Sequence, residues 1–462
     1  MKHYDLIVLG SGSAARDATQ KAARAYDAKV ALVESTRWGG SCPNVACKPT
    51  KAYLVVAELV HEINTIAEKL GIDVGPAQVD MARVKARKDS LKKPQPKWEE
   101  DLRAQGFDIY EGEASLVGAH TVRVDGEELS GDRILIATGS RTAVPPIEGI
   151  EDIEWIDHVS ALELTEVPES LLVVGGGPVG LEFAQIFARF GSLVTIVQGA
   201  DRIAPRSDPD SASELQTALE AEGVEIELAS FVKSVRRDVG GVVATVVPRE
   251  GDGSQELRVA QVLLASGRVS NIEALNVEDL GIETQRSGIV VDEHMRTSVD
   301  GIWAAGDVTG LYQLTPVAQY EARIAIDDMF GGDAQAADYS VLPSVIFTHP
   351  EVAGVGLTEE EATGCESVVH DIKHVQRSSY KDEKYGLYKI VFESDSRRVV
   401  GLHVVAPDAG DVVQGFALAL KLGATVDDFA GMHHAFPTFG EGVKAAAEQA
   451  MPTRVEMADI GN

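Results

Sequence analysis

The fold is decided at the start of the chain, in YDLIVLGSGSAARDATQKAARAYDAKVALVE (residues 4–34). A near-continuous apolar run from Tyr4 to Leu9 leads into Gly10-Ser-Gly12-Ser-Ala-Ala15. An Ala-rich helix-forming stretch from Ala14 to Tyr26 follows, then a second apolar run from Lys29 to Glu34. Strands buried on both faces read as unbroken apolar runs, and two of them joined through a helix make a βαβ unit of a parallel sheet. The glycines permit the tight turn and the close approach of backbone to a pyrophosphate, whose charge rests on the helix N-terminus. Glu34 ends the second strand, where a carboxylate can accept the two ribose hydroxyls of an adenosine.

The arrangement recurs further on. Leu171 opens the strand LLVV, Gly175-Gly-Gly177-Pro-Val-Gly180 follows, a helix is expected from Leu181 to Phe190, and LVTIV (Leu193 to Val197) is the next strand. Two nucleotide-binding halves in one chain suggest two cofactors. The second copy carries Gln198 where the first has an acid, and Arg202 and Arg206 lie just beyond. A missing carboxylate removes repulsion against a 2′-phosphate and an arginine can pair with it, so NADPH is expected in preference to NADH. Surface ion pairs are the alternative for both arginines.

At 462 residues the chain has the length of roughly three domains. It has no apolar run long enough to span a membrane, and apolar strand pattern begins within four residues of Met1, which leaves no room for a signal peptide. A cytoplasmic location is expected. Net charge is 42 − 72 = −30, spread along the whole chain. Such a surplus repels phosphate backbones, which argues against nucleic-acid binding, and it suits solvation in a salt-rich, halophilic cytosol where charge is screened. Within this acidic chain, the segment Asp73 to Trp98 reads as irregular and gathers Arg83, Lys85, Arg87, Lys88, Lys92, Lys93 and Lys97. Those cations are either a solvated helix face or an attractor of an anionic substrate. Past Tyr339 come alternating strands, Leu387 to Phe392 and Val399 to Val405, then helical stretches Val412 to Leu422 and Gly440 to Ala450, read together as a third domain.

Two of the three cysteines sit in GGSCPNVACKPTK (residues 39–51). Zinc wants four ligands, and neither a second Cys pair nor a suitable His cluster follows, so no metal site is expected. A staple across so short a loop adds little and does not persist easily in a reducing cytosol. A redox pair remains. A helix beginning near these residues would lower a thiol's pKa through its positive end.

The order of these motifs, with ILIATGS (Ile134 to Ser140), SGR (Ser266 to Arg268), GIWAAGD (Gly301 to Asp307), LTPVA (Leu314 to Ala318) and VIFTHPEVAGVGLTEEEA (Val345 to Ala362), resembles the FAD-dependent pyridine nucleotide disulfide oxidoreductases from residue 4 to about 450. The resemblance implies an α/β fold with two Rossmann-like domains and a C-terminal α+β dimerisation domain. FAD would be bound by residues 1–148 and 269–338, NAD(P)H by 149–268, and the interface would be built by 339–462. Gly10, Gly12, Ala15 and Glu34 would hold the adenosine end of FAD, Asp307 its ribityl chain, and Gly40, Ser41, Lys51, Thr138, Gly139 and Ala318 the remainder. NADPH would fall to Gly175, Gly177, Gly180, Gln198, Arg202, Arg206 and Gly267. Lys51 and Glu182 match the family's ion pair beside the flavin. Cys47 would face the flavin and Cys42 the substrate. Reducing equivalents would pass from NADPH through FAD to the Cys42–Cys47 bridge, and the Cys42 thiolate would attack an incoming disulfide. A homodimer would share its active sites, with Glu441 completing the partner's.

One departure matters. Relatives that reduce disulfides carry H-x-H-P-T-x-x-E near the C-terminus, whereas this chain has His434-Ala-Phe436-Pro-Thr-Phe-Gly-Glu441. Phe436 cannot carry a proton, so His434, His433, water or an ammonium on the substrate must serve; both histidines could equally be packing groups. The loss points away from dihydrolipoamide dehydrogenases, and FGEGVKAAAE is similar to mercuric reductases. Those enzymes deliver metal through a C-terminal vicinal Cys pair, and the segment MPTRVEMADIGN has none. Cys365, in a polar stretch that reads as helical, is expected to be a bystander. A mercuric-reductase-like chain without its mercury-handling part, in a halophilic composition, implies NADPH-dependent reduction of bis-γ-glutamylcystine to γ-glutamylcysteine in thiol redox homeostasis. Arg37 and the cluster from Arg83 to Lys97 would form a cationic entrance. Metal-ion reduction and dihydrolipoamide oxidation are the alternatives.

Overall fold

The computed structural model describes residues 1–451; residues 452–462, the end of the expected dimerisation domain, lie outside the described residues. Two compact units are formed, each from separate stretches of chain. The first comprises residues 1–50, 85–144 and 267–338, and the second 51–84, 145–266 and 339 onward.

A five-stranded parallel sheet centres the first unit, in the order Ile302–Ala304, Ile134–Ile136, Leu6–Leu9, Val30–Glu34, Asp108–Glu111. Alternate side chains of its strands enter different cores. Leu6, Val8, Leu32 and Leu135 pack with helix Ser13–Tyr26 and helix Thr315–Phe330 on one face, while Ile7, Leu9, Val33, Ile134 and Ile136 pack on the other. Burial on both faces is why Leu6–Leu9, residues 30–33 and Ile134–Ile136 contain no polar alternation, whereas the edge strand Asp108–Glu111 has exposed acids at both ends. The apolar run read from Tyr4 is in fact two strands. Lys2–Tyr4 pairs in parallel with Glu127–Gly131 in a separate sheet, and the chain passes to the central sheet at Asp5. The carboxylate of Asp5 accepts from the Lys29 amide at 2.7 Å.

The second unit holds a four-stranded parallel sheet, Glu225–Glu227, Leu193–Val197, Ser170–Val174, Gln261–Leu264. Against it lies helix Pro178–Phe190, apolar almost all round and buried from Gly180 to Phe187. A five-stranded antiparallel sheet follows, in the order Ser344–Ile346, Glu351–Gly356, Val399–Ala406, Leu387–Glu393, Cys365–Asp371. Helices Ala409–Lys421 and Glu441–Gln449 bury their apolar sides with it in one core.

Other readings need correction as well. Cys365 opens an edge strand, not a helix, and its thiol donates to the Thr363 carbonyl at 3.6 Å. The segment from Asp73 to Trp98 is not irregular throughout, since helices Met81–Ser90 and Gln95–Ala104 form in it. Asp80 caps the first by accepting from the Arg83 amide at 3.0 Å, and Pro94 introduces the second. Nor are its lysines a plain solvated face, although Arg83 and Arg87 are exposed. Lys85, Lys88 and Lys92 converge on Asp89, Lys93 and Lys97 on Asp101, and the Lys88 side chain is fully buried.

Candidate active site

In the first unit, backbone packs against backbone where the sequence places its glycines. Gly10 has φ +105°, and a Cβ there would stand 2.3 Å from the Ala137 carbonyl oxygen. A Cβ on Gly40, at φ +72°, would stand 2.5 Å from Gly12 Cα. The glycine turn and the cysteine loop therefore touch without any side chain between them. Ser11 ties them further: its hydroxyl donates to Glu34 at 2.6 Å and accepts from the Gly39 amide at 3.0 Å. Glu34 also accepts from the amides of Thr36 and Arg37, so its carboxylate is fixed at the strand end. Ala15 is fully buried on the helix that follows. Gly139, at φ +72°, faces open space; the preceding loop is held by Thr138, whose hydroxyl donates to the Asn271 carbonyl at 2.7 Å. Asp307 accepts from the Ser140 hydroxyl at 2.6 Å, and Arg268 lies 3.8 Å away. Ala318 packs beside Gly306, just before Asp307. These residues suit a dinucleotide: a side-chain-free turn at a helix N-terminus, open space before a second glycine, and two fixed carboxylates. Ser11, Ser140 and Arg268 were not singled out from sequence; only their places beside the glycine motifs and in SGR signalled them.

Cys42 sits in the short helix Ser41–Asn44, and helix Cys47–Thr65 begins at Cys47. The Cys42 thiol is pulled down from its ordinary 9.0 to about 6. Its hydrogen bond with Cys47 is the main cause; burial opposes, and the Thr315 hydroxyl and the charges of Lys48 and Arg16 add to the lowering. Thr315 starts its own helix and lies 4.0 Å from the Cys47 sulfur. It belongs to the LTPVA motif, yet no role for it was read from the sequence.

Lys51 and Glu182 fall in the second unit and pair there, Nζ lying 2.9 and 2.8 Å from the two carboxylate oxygens. Glu182 is 7% exposed and accepts from the Phe347 amide at 3.1 Å, while Lys51 Nζ stands 4.2 Å from the Phe347 ring centroid. Phe347, in the VIFTHPE signature, is a further residue that sequence reading missed. In the second glycine turn, a Cβ on Gly175 would stand 2.6 Å from the Ala265 carbonyl oxygen and one on Gly180 2.0 Å from that of Gly175, whereas Gly177 faces open space. Gln198 accepts from the Gly176 amide at 2.9 Å. Arg202 forms a surface ion pair with Glu360, and Arg206 is exposed. Gly267, expected with this set, belongs to the first unit. This turn also suits a dinucleotide, since its open glycine adjoins a strand end that bears an uncharged amide. Gln198→Glu keeps an acceptor for Gly176 but adds a negative charge. It is expected to cut the NADPH to NADH ratio of kcat/KM about tenfold, or about 1.4 kcal/mol; equal effects on both cofactors in steady-state kinetics would remove the phosphate argument.

Glu441 opens helix Glu441–Gln449 and accepts from the Gln376 amide at 3.0 Å; its other oxygen is buried with no hydrogen-bond partner among the described residues. The His434 ring stacks on Phe416, centroids 6.1 Å apart, and burial holds its pKa below the ordinary value. Phe436 is 74% exposed. No group of three His, Cys, Asp or Glu disposed to hold a metal occurs among the described residues.

A further cluster was invisible in the sequence. His349 lies between Glu383, 3.1 Å from Nε2, and Glu58, 3.6 Å from Nδ1. Burial alone would lower its pKa, but hydrogen bonds to these carboxylates outweigh it and push the imidazole up to about 9. A raised pKa stabilises the fold below the unfolded value near 6.5, and that contribution is lost as pH rises through about 9. The loss is worth about 3 kcal/mol. Urea unfolding at pH 6 and pH 10 should show it in the wild type and not in His349→Gln; parallel pH dependence in the two proteins would rule it out.

Known proteins resemble this chain along nearly its whole length. The family model described as pyridine nucleotide-disulphide oxidoreductase matches residues 4–322, and that of its dimerisation domain matches residues 342–447. A mercuric reductase of Lysinibacillus sphaericus is 35% identical over 455 residues, 96% of this chain and 82% of that protein. A dihydrolipoyl dehydrogenase of Thermus scotoductus is 36% identical over 458 residues, 97% of each chain. The Cu(II) complex of the HOCl-induced flavoprotein disulfide reductase RclA from Escherichia coli superposes with a TM-score of 0.87 at 28% identity, covering 98% of this chain and 100% of that one. Matched along nearly its whole length, and carrying a paired-cysteine site beside a glycine turn, this chain belongs to the pyridine nucleotide-disulphide oxidoreductases.

Proposed function

We propose that the protein is a cytoplasmic, homodimeric, NADPH-dependent FAD enzyme that reduces a low-molecular-weight disulfide, bis-γ-glutamylcystine, to γ-glutamylcysteine. The observation that carries the disulfide-reducing part of the reading is the Cys42 and Cys47 pair, set against the glycine turn where Gly40 meets Gly12 and with the Thr315 hydroxyl 4.0 Å from the Cys47 sulfur. The division into domains at residues 148, 268 and 338, and the sharing of sites between two subunits through Glu441, belong to the same reading.

FAD, when bound, supplies two-electron exchange between a nicotinamide and a disulfide. Gly10, Gly12, Ala15, Glu34, Gly40, Ser41, Thr138, Gly139, Asp307 and Ala318 would hold it, and the charge of Lys51, kept in place by Glu182 and Phe347, would face its reduced form. Gly175, Gly177, Gly180, Gln198, Arg202, Arg206 and Gly267 would hold NADPH. The protein's own sulfur chemistry follows from the thiol pair. The Cys42 thiolate attacks one sulfur of the substrate, breaking its S–S bond, forming a mixed disulfide and releasing one thiol. The Cys47 thiolate then attacks the Cys42 sulfur, releases the second thiol and closes the Cys42–Cys47 bridge. Each released thiolate takes up one proton. Phe436 cannot donate it, and the stacked ring of His434 is the nearest protonable group in sequence.

The test is NADPH oxidation at high salt with oxidised γ-glutamylcysteine, lipoamide and Hg(II) in parallel. Turnover of the first supports the assignment, and turnover of only lipoamide or mercury overturns it. Reduction of a metal ion is the second reading, favoured by the mercuric reductases of Lysinibacillus sphaericus and Streptomyces lividans, 35% and 36% identical to this chain.

A further inference from the structure

The three consecutive acids of LTEEEA have three different partners. Glu359 reaches the buried Lys389 and accepts from the Ser367 hydroxyl at 3.0 Å, while Glu361 accepts from the amide and hydroxyl of Thr358 at 3.0 and 2.9 Å. The Glu359 amide also points at Asp208, 3.5 Å away, at the start of helix Pro209–Ala221. The turn is thus anchored on both sides of Glu360. Glu360 meets Arg202 in a two-pronged pair, Nη1 to Oε1 at 3.1 Å and Nη2 to Oε2 at 2.8 Å. Nη2 also donates to the Pro205 carbonyl at 3.4 Å, and Nε is buried with no hydrogen-bond partner among the described residues.

Both terminal nitrogens of the guanidinium are therefore engaged by one carboxylate, and they form the same fork that a phosphate would grip. Arg202 cannot present that fork to Glu360 and to a 2′-phosphate together. Its place is fixed relative to the glycine turn, since Gln198 spans from the Gly176 amide to the Arg202 carbonyl.

We infer that Glu360 is a specificity-determining residue, a built-in competitor that holds the Arg202 fork and must be exchanged for the 2′-phosphate when NADPH binds. NADH, which lacks that phosphate, asks nothing of the pair. Glu360 thus sets the margin between the two cofactors without touching the nicotinamide. The inference rests on the NADPH reading above, and the experiment separates the two.

Steady-state kinetics with NADPH and NADH would be measured on the holoenzyme and on Glu360→Gln, Arg202→Ala and the double variant. Expected are a rise of about threefold to fivefold in the NADPH to NADH ratio of kcat/KM for Glu360→Gln, through KM and not kcat, and a fall of at least about tenfold for Arg202→Ala. In the double variant the glutamine should give no gain over Arg202→Ala alone, because the carboxylate acts through the arginine. If Arg202→Ala lowers the ratio but Glu360→Gln leaves it unchanged or lowers it, competition by Glu360 is overturned while the NADPH reading stands. An unchanged ratio in Arg202→Ala overturns the role of Arg202 and the inference with it.

Discussion

Cys42→Ser is expected to lower disulfide turnover by at least about a thousandfold while NADPH still bleaches the flavin absorbance of the holoprotein anaerobically. The two readouts separate because serine fills the same volume but cannot ionise near neutrality. The wild-type sulfur can: with its pKa lowered from 9.0 to about 6, Cys42 is thiolate above pH 6 and thiol below. The rate of alkylation of the reduced pair by iodoacetamide should therefore reach half its maximum near pH 6 and level off above about pH 7. A midpoint near 9 would show that Cys47 and Thr315 do not activate it. Undiminished turnover in the serine variant would remove Cys42 from the chemistry altogether.

Lys389→Met is expected to lower the stability of the fold by about 3–5 kcal/mol, because it leaves a buried carboxylate without its cation. Lys389 is 1% exposed and Asp208 not at all; Nζ lies 3.1 Å from Asp208 and 2.7 Å from Asp210. Asp208 also caps helix Pro209–Ala221 by accepting from the Asp210 amide at 3.1 Å, so it cannot turn away to solvent without unmaking the cap. Adding Asp208→Asn to Lys389→Met should recover part of the loss, since a neutral amide keeps the cap and carries no buried charge. Denaturant midpoints measure both variants. A single variant within about 1 kcal/mol of wild type would mean that the ions find other partners.

Much of this was legible in the chain because the relevant constraints are local. The two βαβ units were readable from Gly10 and Gly175, whose positive φ and contact with a carbonyl oxygen leave room for no other residue, and from the deeply buried strands Leu6–Leu9 and Ser170–Val174 that precede them. The cysteine pair was singled out by exclusion, since the chain offers neither further zinc ligands beside it nor a loop long enough for a useful staple. What escaped depends on distant residues or on one-sided burial. Cys365–Asp371 is an edge strand, paired on one side only with Leu387–Glu393, and its polar residues imitate a helix face. Glu58, His349 and Glu383 are brought together from stretches far apart in sequence, and no periodicity signals such a meeting. The cations of Lys85, Lys88 and Lys92 looked like a surplus until Asp89 was found among them.

The assembly of the first unit from three separated stretches bears on how the chain is made. Its central sheet ends at Ile302–Ala304, whose parallel neighbour is Ile134–Ile136 and whose other side meets Arg296 in a single antiparallel bridge. At about 5–20 residues per second on the ribosome, the interval between those two strands is on the order of 10–30 s. Throughout that time Ile134–Ile136 presents an open, wholly apolar rim, the kind of template on which nascent chains stick to one another. Until that neighbour is made, this edge is where pairing with another chain has to be avoided.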